Sequence, residues 1–179
     1  MRIVGGKYKG RKIEVSRRFD SRPTTDFARE ALFNILTNHF DFENSKFLDL
    51  FSGTGSISYE MVSRGCSEID LVDINPEVIR FIEKTATKMS FIGIHTVRMD
   101  VFRFIPICRK KYDIIFADPP YDLRRIKELP ELILGHNLLL DTGWFILEHG
   151  KDHSFKDYPG FFDERHYGSV HFSFFKRTT

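Results

Sequence analysis

The sequence predicts an α/β fold, a doubly wound and mostly parallel sheet ending in an antiparallel hairpin, with a small N-terminal extension of hairpin and helix. Three observations predict it. From residue 46 onward, short apolar runs alternate with segments of helical spacing, and parallel strands require helical crossovers of that kind. The turn Ser52-Gly53-Thr54-Gly55 opens a helix directly after the first apolar run. Arg165 to Lys176 alternates around Gly168 with no intervening helix, the mark of a terminal hairpin.

The elements follow in order. Residues 2–4 and 12–15 are β-like runs around the basic, Gly-rich stretch Gly5 to Arg11, so a hairpin or small ribbon is predicted. Thr24, Thr25 and Asp26 give a helix start, and Phe27, Ala31, Leu32, Ile35 and Leu36 recur at helical spacing, predicting a helix over 26–38. Strands are predicted at 46–51, 69–73, 94–99, 112–117 and 144–148. Helices are predicted after Gly55, from Pro76 with Pro at the first helical position, and near 124–134. Right-handed crossovers then place every strand's carboxyl end on one side, where such sheets bind ligands.

Charge is unevenly spread. Residues 1–25 carry eight Lys/Arg against Glu14 and Asp20, a net +6. The whole chain is +2, so the remainder is −4. A basic arm over residues 1–25, on a slightly acidic domain over 26–179, points to a polyanionic partner met by one face. No apolar run reaches the roughly 18 residues that a membrane span needs. The N-terminus lacks the apolar core of a secretory signal. Cys66 and Cys108 have no CxxC pairing, so neither a disulfide framework nor zinc is indicated. A cytoplasmic enzyme without metal is the expectation.

The chemistry-bearing motifs all fall at predicted strand ends. Asp49, Phe51, Gly53 and Gly55 form the first turn; the glycines let the backbone bend and approach a ligand, and the helix after them aims its amides at it. Asp73 ends the second strand, where an acid accepts ribose hydroxyls. Asp100 ends the third, where a carboxylate meets an adenine amino group, with Ile74 and Val101 against the ring. A nicotinamide site would want a third glycine where Ser58 stands, and the phosphate-binding GxxxxGK[ST] pattern is absent.

Asp118-Pro119-Pro120-Tyr121 follows the apolar run Tyr112 to Ala117. Two prolines fix two φ angles and remove two donors, leaving a stiff loop rich in acceptors. Beside a carboxylate and an aromatic ring, that loop suits a planar ligand carrying an amino group. Asp118 and the Asp118 or Pro119 carbonyl accept the amine hydrogens, and Tyr121 stacks on the ring, a contact worth roughly 1–3 kcal/mol.

This ordered set resembles the class I, Rossmann-like methyltransferases that act on exocyclic amines. The start is more specific: Arg2-Ile3-Val4-Gly5-Gly6-Lys7-Tyr8-Lys9-Gly10-Arg11-Lys12, then Arg22-Pro23-Thr24-Thr25-Asp26, then Glu30 to Leu36. With DLFSGTG and DPPY, the chain is similar to the RsmD family of bacterial small-subunit rRNA guanine 2-amino methyltransferases, from residue 2 to about 150. Ser52 stands where relatives often have Ala. The resemblance implies S-adenosyl-L-methionine as cofactor, held by Asp49, Phe51, Gly53, Gly55, Asp73 and Asp100, with Thr24 and its segment closing over the methionine end. It implies a guanine of 16S rRNA, within a small ribosomal subunit or assembly intermediate, facing Asp118, Pro119, Pro120 and Tyr121. Lys7, Lys9, Arg11, Lys12 and Arg22 would grip RNA phosphates, and the base would be swung out to reach the loop.

Rival readings are a DNA adenine methyltransferase, a protein glutamine methyltransferase (which typically shows NPPY) and a non-catalytic RNA-binding module. His149 and His153 are four apart, but Gly150 between them argues against a metal-binding helix. Trp144 is expected to bury the fifth core strand.

Overall fold

Phe47 and Leu48, adjacent in the first strand, lie in two different hydrophobic clusters, because successive side chains of a strand point to opposite faces. The computed structural model describes residues 1–15, 19 and 24–178. Its seven strands are β1 (Lys46–Leu50), β2 (Glu68–Asp73), β3 (Ile94–Arg98), β4 (Tyr112–Ala117), β5 (Leu139–His149), β6 (Phe161–Tyr167) and β7 (Val170–Lys176). They form one sheet in the order β3-β2-β1-β4-β5-β7-β6. The first five pair in parallel, and β7 and β6 pair antiparallel. The order reverses between β1 and β4, which opens a crevice at their carboxyl ends.

Helices cover both faces. α1 (Asp26–Thr37), α2 (Ser56–Ser63) and α3 (Pro76–Met89) pack Leu32, Phe33, Met61 and Ile82 against Phe47, Ile69, Ile114 and Phe116. On the other face, α4 (Val101–Ile107) and α5 (Leu129–Gly135) pack Ile105 and Ile133 against Leu48, Val72, Ile115 and Phe145. This double cover explains why the core strands read as continuous apolar runs. Trp144 is half-buried on β5, edge-on to Phe40 and Phe162. No helix among the described residues is long and apolar enough to cross a membrane.

Four sequence expectations change in detail. The N-terminal ribbon shrinks to a single antiparallel bridge, Arg2 to Lys12. Its backbone groups bond α2 instead: Glu60 accepts the amides of Val4 (2.5 Å) and Gly5 (3.2 Å), and Ser63 accepts those of Lys7 and Tyr8. The helix expected near 124–134 begins only at Leu129, after a 3-10 turn over Ile126–Glu128. Pro130 is tolerated in a helix's first turn but not inside it. β5 starts at Leu139, five residues early, with a register shift opposite Tyr112 and Ile114. α4 has no counterpart among the predicted helices. It is short, and Asp100 caps it by accepting from Arg103 N at 3.1 Å.

Candidate active site

The site grows out of the turn after β1. Phe51 sits at φ 58 and Gly53 at φ 49, a left-handed pair that is strained for the phenylalanine. Such strain concentrates where a backbone must meet a ligand. Gly55 (φ 79) starts α2 without a capping side chain of its own, and Asp49 accepts from the Ser58 amide and hydroxyl in its first turn. A Cβ on Gly55 would stand 2.8 Å from the Tyr59 ring. Asp73 braces the turn from β2, its Oδ2 accepting Gly53 N at 3.1 Å and its Oδ1 accepting Asn75 N at 2.8 Å.

A cavity of about 510 Å³ opens above this turn, within the range of small-molecule sites. Thr24, Asp49, Phe51, Gly53, Asp73, Ile74, Asp100 and Val101 all line it. Gly55 does not; it shapes the turn from behind. Asp118, Pro119, Pro120 and Tyr121 line the same cavity and also a smaller one of about 110 Å³, so the loop stands at the junction of the two. Lys7, Lys9, Arg11 and Lys12 are exposed on the N-terminal loop, with Lys7 and Arg11 over the Tyr8 ring. Arg22 lies outside the described residues.

The electrostatics are those of crowded, buried carboxyl groups. Burial pushes Asp49 up to about 8 against the opposing hydrogen bond from Ser58 Oγ, and Asp73 nearby adds to the rise. Asp118 is held well above the ordinary carboxylate range by burial and then by Glu148 and Asp49. Burial lifts Glu148 to about 7, although the Thr24 hydroxyl donates to it at 2.7 Å. Acids that prefer their protons are functional-site candidates when they line a cleft.

Glu148 is the residue that sequence reading missed. It lines the smaller cavity with His149, Asp152 and His153, and its signal was present: it is the acid near the carboxyl end of the fifth parallel strand. His149 and His153 do not face each other as a ligand pair. His149 Nδ1 lies 2.8 Å from Gly150 O and Nε2 2.8 Å from Ser173 Oγ. A separate group, Glu164, His166 and His171, gathers on the terminal hairpin, with Lys156 also beside Glu164.

The family described as "Conserved hypothetical protein 95" matches residues 1–176. The chain is 33% identical over 148 residues to the "Ribosomal RNA small subunit methyltransferase D" of Buchnera aphidicola subsp. Baizongia pistaciae, covering 83% of this chain and 75% of that protein. The chain belongs to the RsmD family. Among solved structures, this RsmD-family chain superposes on the putative methyltransferase YhhF from Escherichia coli with a TM-score of 0.85, at 26% identity, covering 99% of this chain and 97% of that one. It also shares its fold with a Thermus thermophilus 16S rRNA N2 G1207 methyltransferase in complex with AdoMet and guanosine. There the TM-score is 0.70 at 17% identity, covering 89% of this chain and 45% of that one. The class I methyltransferase fold is thereby established.

The residues fit S-adenosylmethionine. Asp73 and Asp100 reach the cavity as acceptors, and each retains lone pairs beyond its structural bond. Ile74 and Val101 supply apolar walls. Ser52 Oγ is buried beside the cavity with no hydrogen-bond partner, a polar atom suited to a ligand's.

Proposed function

We propose that this RsmD-family enzyme methylates the exocyclic 2-amino group of a guanine in 16S rRNA. S-adenosylmethionine is the cofactor, and the chemistry is rRNA methylation; the guanine nitrogen is the finer part of the reading. One observation carries it: the Asp118-Pro119-Pro120-Tyr121 loop forms a wall of both the cofactor-sized cavity and the smaller one. An amine held by that loop therefore faces whatever reactive group the larger cavity presents.

The chain's own residues then have definable tasks. When bound, the cofactor supplies an electrophilic methyl group on sulfur. Asp118 and the Pro119 carbonyl accept the two amine hydrogens and fix the nitrogen's orientation. Pro119 and Pro120 have no N–H to compete for those acceptors. Burial and the neighbouring Glu148 and Asp49 raise the proton affinity of Asp118, and in its ionised form it takes the proton that nitrogen loses on methylation. Tyr121, largely exposed at 66%, offers its ring face to a base swung out of folded RNA. Rate enhancement comes mainly from alignment and fixed electrostatics. Residues 1–25 serve as the RNA-gripping arm of the methyltransferase domain, with Lys7, Lys9, Arg11 and Lys12 meeting phosphates.

The test incubates the enzyme with radiolabelled S-adenosylmethionine and three substrates: small ribosomal subunits lacking the modification, duplex DNA and total protein extract. Label recovered as 2-methylguanine in rRNA is the expected result. Label in DNA adenine or in protein glutamine overturns the substrate, and absence of both transfer and cofactor binding overturns the enzyme.

A further inference from the structure

We infer that Glu148 is a substrate-recognising carboxylate that works beside Asp118 to read the contiguous N1–H and N2–H edge of guanine, and so sets the choice of base. This rests on the methyl-transfer reading above and deepens it by naming the group that separates guanine from adenine.

The placement comes from strand register. Ala117 of β4 pairs in parallel with Leu147 of β5, so Asp118 and Glu148 are the next residues out on neighbouring strands. Phe116 and Ile146, two residues back, belong to one hydrophobic cluster, and strand alternation returns Asp118 and Glu148 to that face. Both line the smaller cavity, next to Pro119, Pro120 and Tyr121. Glu148 does not line the larger one. It is only 5% exposed, and among the described residues its side-chain hydrogen bond is the one that Oε2 accepts from the Thr24 hydroxyl. No Lys, Arg or His among the described residues forms an ion pair with Glu148 or Asp118.

A buried and a half-buried carboxyl group side by side, with no cation paired to them among the described residues, destabilise the empty fold. Apart from the Thr24 hydroxyl on Glu148, such a pair lacks hydrogen-bond donors among the described residues. Ionised carboxylates are acceptors only. Guanine offers N1–H directly beside its N2 amino group, an unbroken row of donors. Adenine sets its N6 amino group beside an N1 lone pair, and cytosine sets N4 beside an N3 lone pair. Either lone pair would repel ionised Glu148 and leave a buried acceptor unmet, whereas guanine's donors favour the ionised form that burial disfavours in the empty site. A site built to bond a substrate N–H rejects analogues lacking it strongly. Asp118 thus holds the reacting amine, and Glu148 holds the neighbouring N1–H.

The test compares wild type, Glu148→Ala and Glu148→Gln on small ribosomal subunits lacking the modification. The methylated nucleoside is identified, and guanosine, 1-methylguanosine and adenosine serve as competitors. Wild type should form 2-methylguanosine and be inhibited best by guanosine, because 1-methylguanosine lacks the N1–H. Glu148→Ala should lower kcat/KM roughly ten- to a hundred-fold, the range for a hydrogen bond to a charged group. It should also erase the preference for guanosine over 1-methylguanosine, while S-adenosylhomocysteine binds as tightly as before. Glu148→Gln retains an acceptor and should recover part of both. If the product is 2-methylguanosine but Glu148→Ala keeps the guanosine preference, the role of Glu148 is overturned and the parent reading stands. A wild-type product on any other base overturns the parent reading itself.

Discussion

The hydroxyl of Thr24 donates to the carboxylate of Glu148 at 2.7 Å across 124 residues of sequence, tying the segment before α1 to the end of β5. Thr24 lines the larger cavity and Glu148 the smaller, so this one bond couples the two compartments. Thr24→Val removes a bond that lowers the pKa of Glu148. The pH at which transfer reaches half its plateau should therefore move upward, with kcat/KM reduced by roughly tenfold near neutrality. An unshifted pH–rate profile would separate the bond from catalysis.

Replacing Asp118 with Ala should cut methyl transfer by at least ~10², the scale seen when one positioned polar group is lost. Cofactor binding should survive, since the remaining cavity wall is intact. Equilibrium binding of S-adenosylhomocysteine alongside single-turnover transfer checks both halves. Persistent turnover would mean that the amine is held elsewhere.

The buried acids make stability depend on pH in a definite direction. Burial raises Glu148 from 4.5 to about 7 and Asp49 from 3.8 to about 8, so the folded state prefers their protonated forms. Their stabilising contribution is complete below the ordinary values and is lost as pH rises through about 7 and about 8. Glu148→Gln should match wild type in thermal stability near pH 4.5 and exceed it above pH 7, by a few kcal/mol at most. Melting curves across that window check it; a constant difference at every pH would assign the effect to packing.

Arg29 is 1% exposed, donates to the Asp26 carboxylate and the Arg2 and Thr24 carbonyls, and pairs ionically with Glu60 at 3.4 Å. Glu60 in turn holds the amides of Val4 and Gly5. Arg29→Met leaves that buried carboxylate with Arg64, at 3.8 Å, as its remaining cation and should destabilise the fold by about 1–3 kcal/mol. The double variant Arg29→Met with Glu60→Gln should lose less. Denaturant titrations of all three proteins read the difference.

Neutralising Lys7, Lys9, Arg11 and Lys12 together should weaken RNA binding and flatten its dependence on salt. Each phosphate that no longer meets a cation lowers the slope of log affinity against log salt by about 0.7–0.9. An unchanged slope would reduce the loop to a structural cover on α2.

The sequence alone determined the parallel sheet, the glycine turn and the acids that end its strands, because each is written in local spacing. Alternating apolar runs settle strand against helix, glycines mark where φ must turn positive, and a Pro-Pro pair stiffens a loop whatever surrounds it. The tertiary structure alone decided three things. It turned the N-terminal ribbon into a loop on α2, because Glu60 and Ser63 take backbone amides that a longer ladder would have used. It made Asp100 the cap of a helix too short to show periodicity. And it set Glu148 beside Asp118, a neighbourhood that exists only once β4 and β5 are in register. Burial and the proximity of charges are properties of the folded chain, so the proton affinities that shape this site cannot be read from the order of its residues.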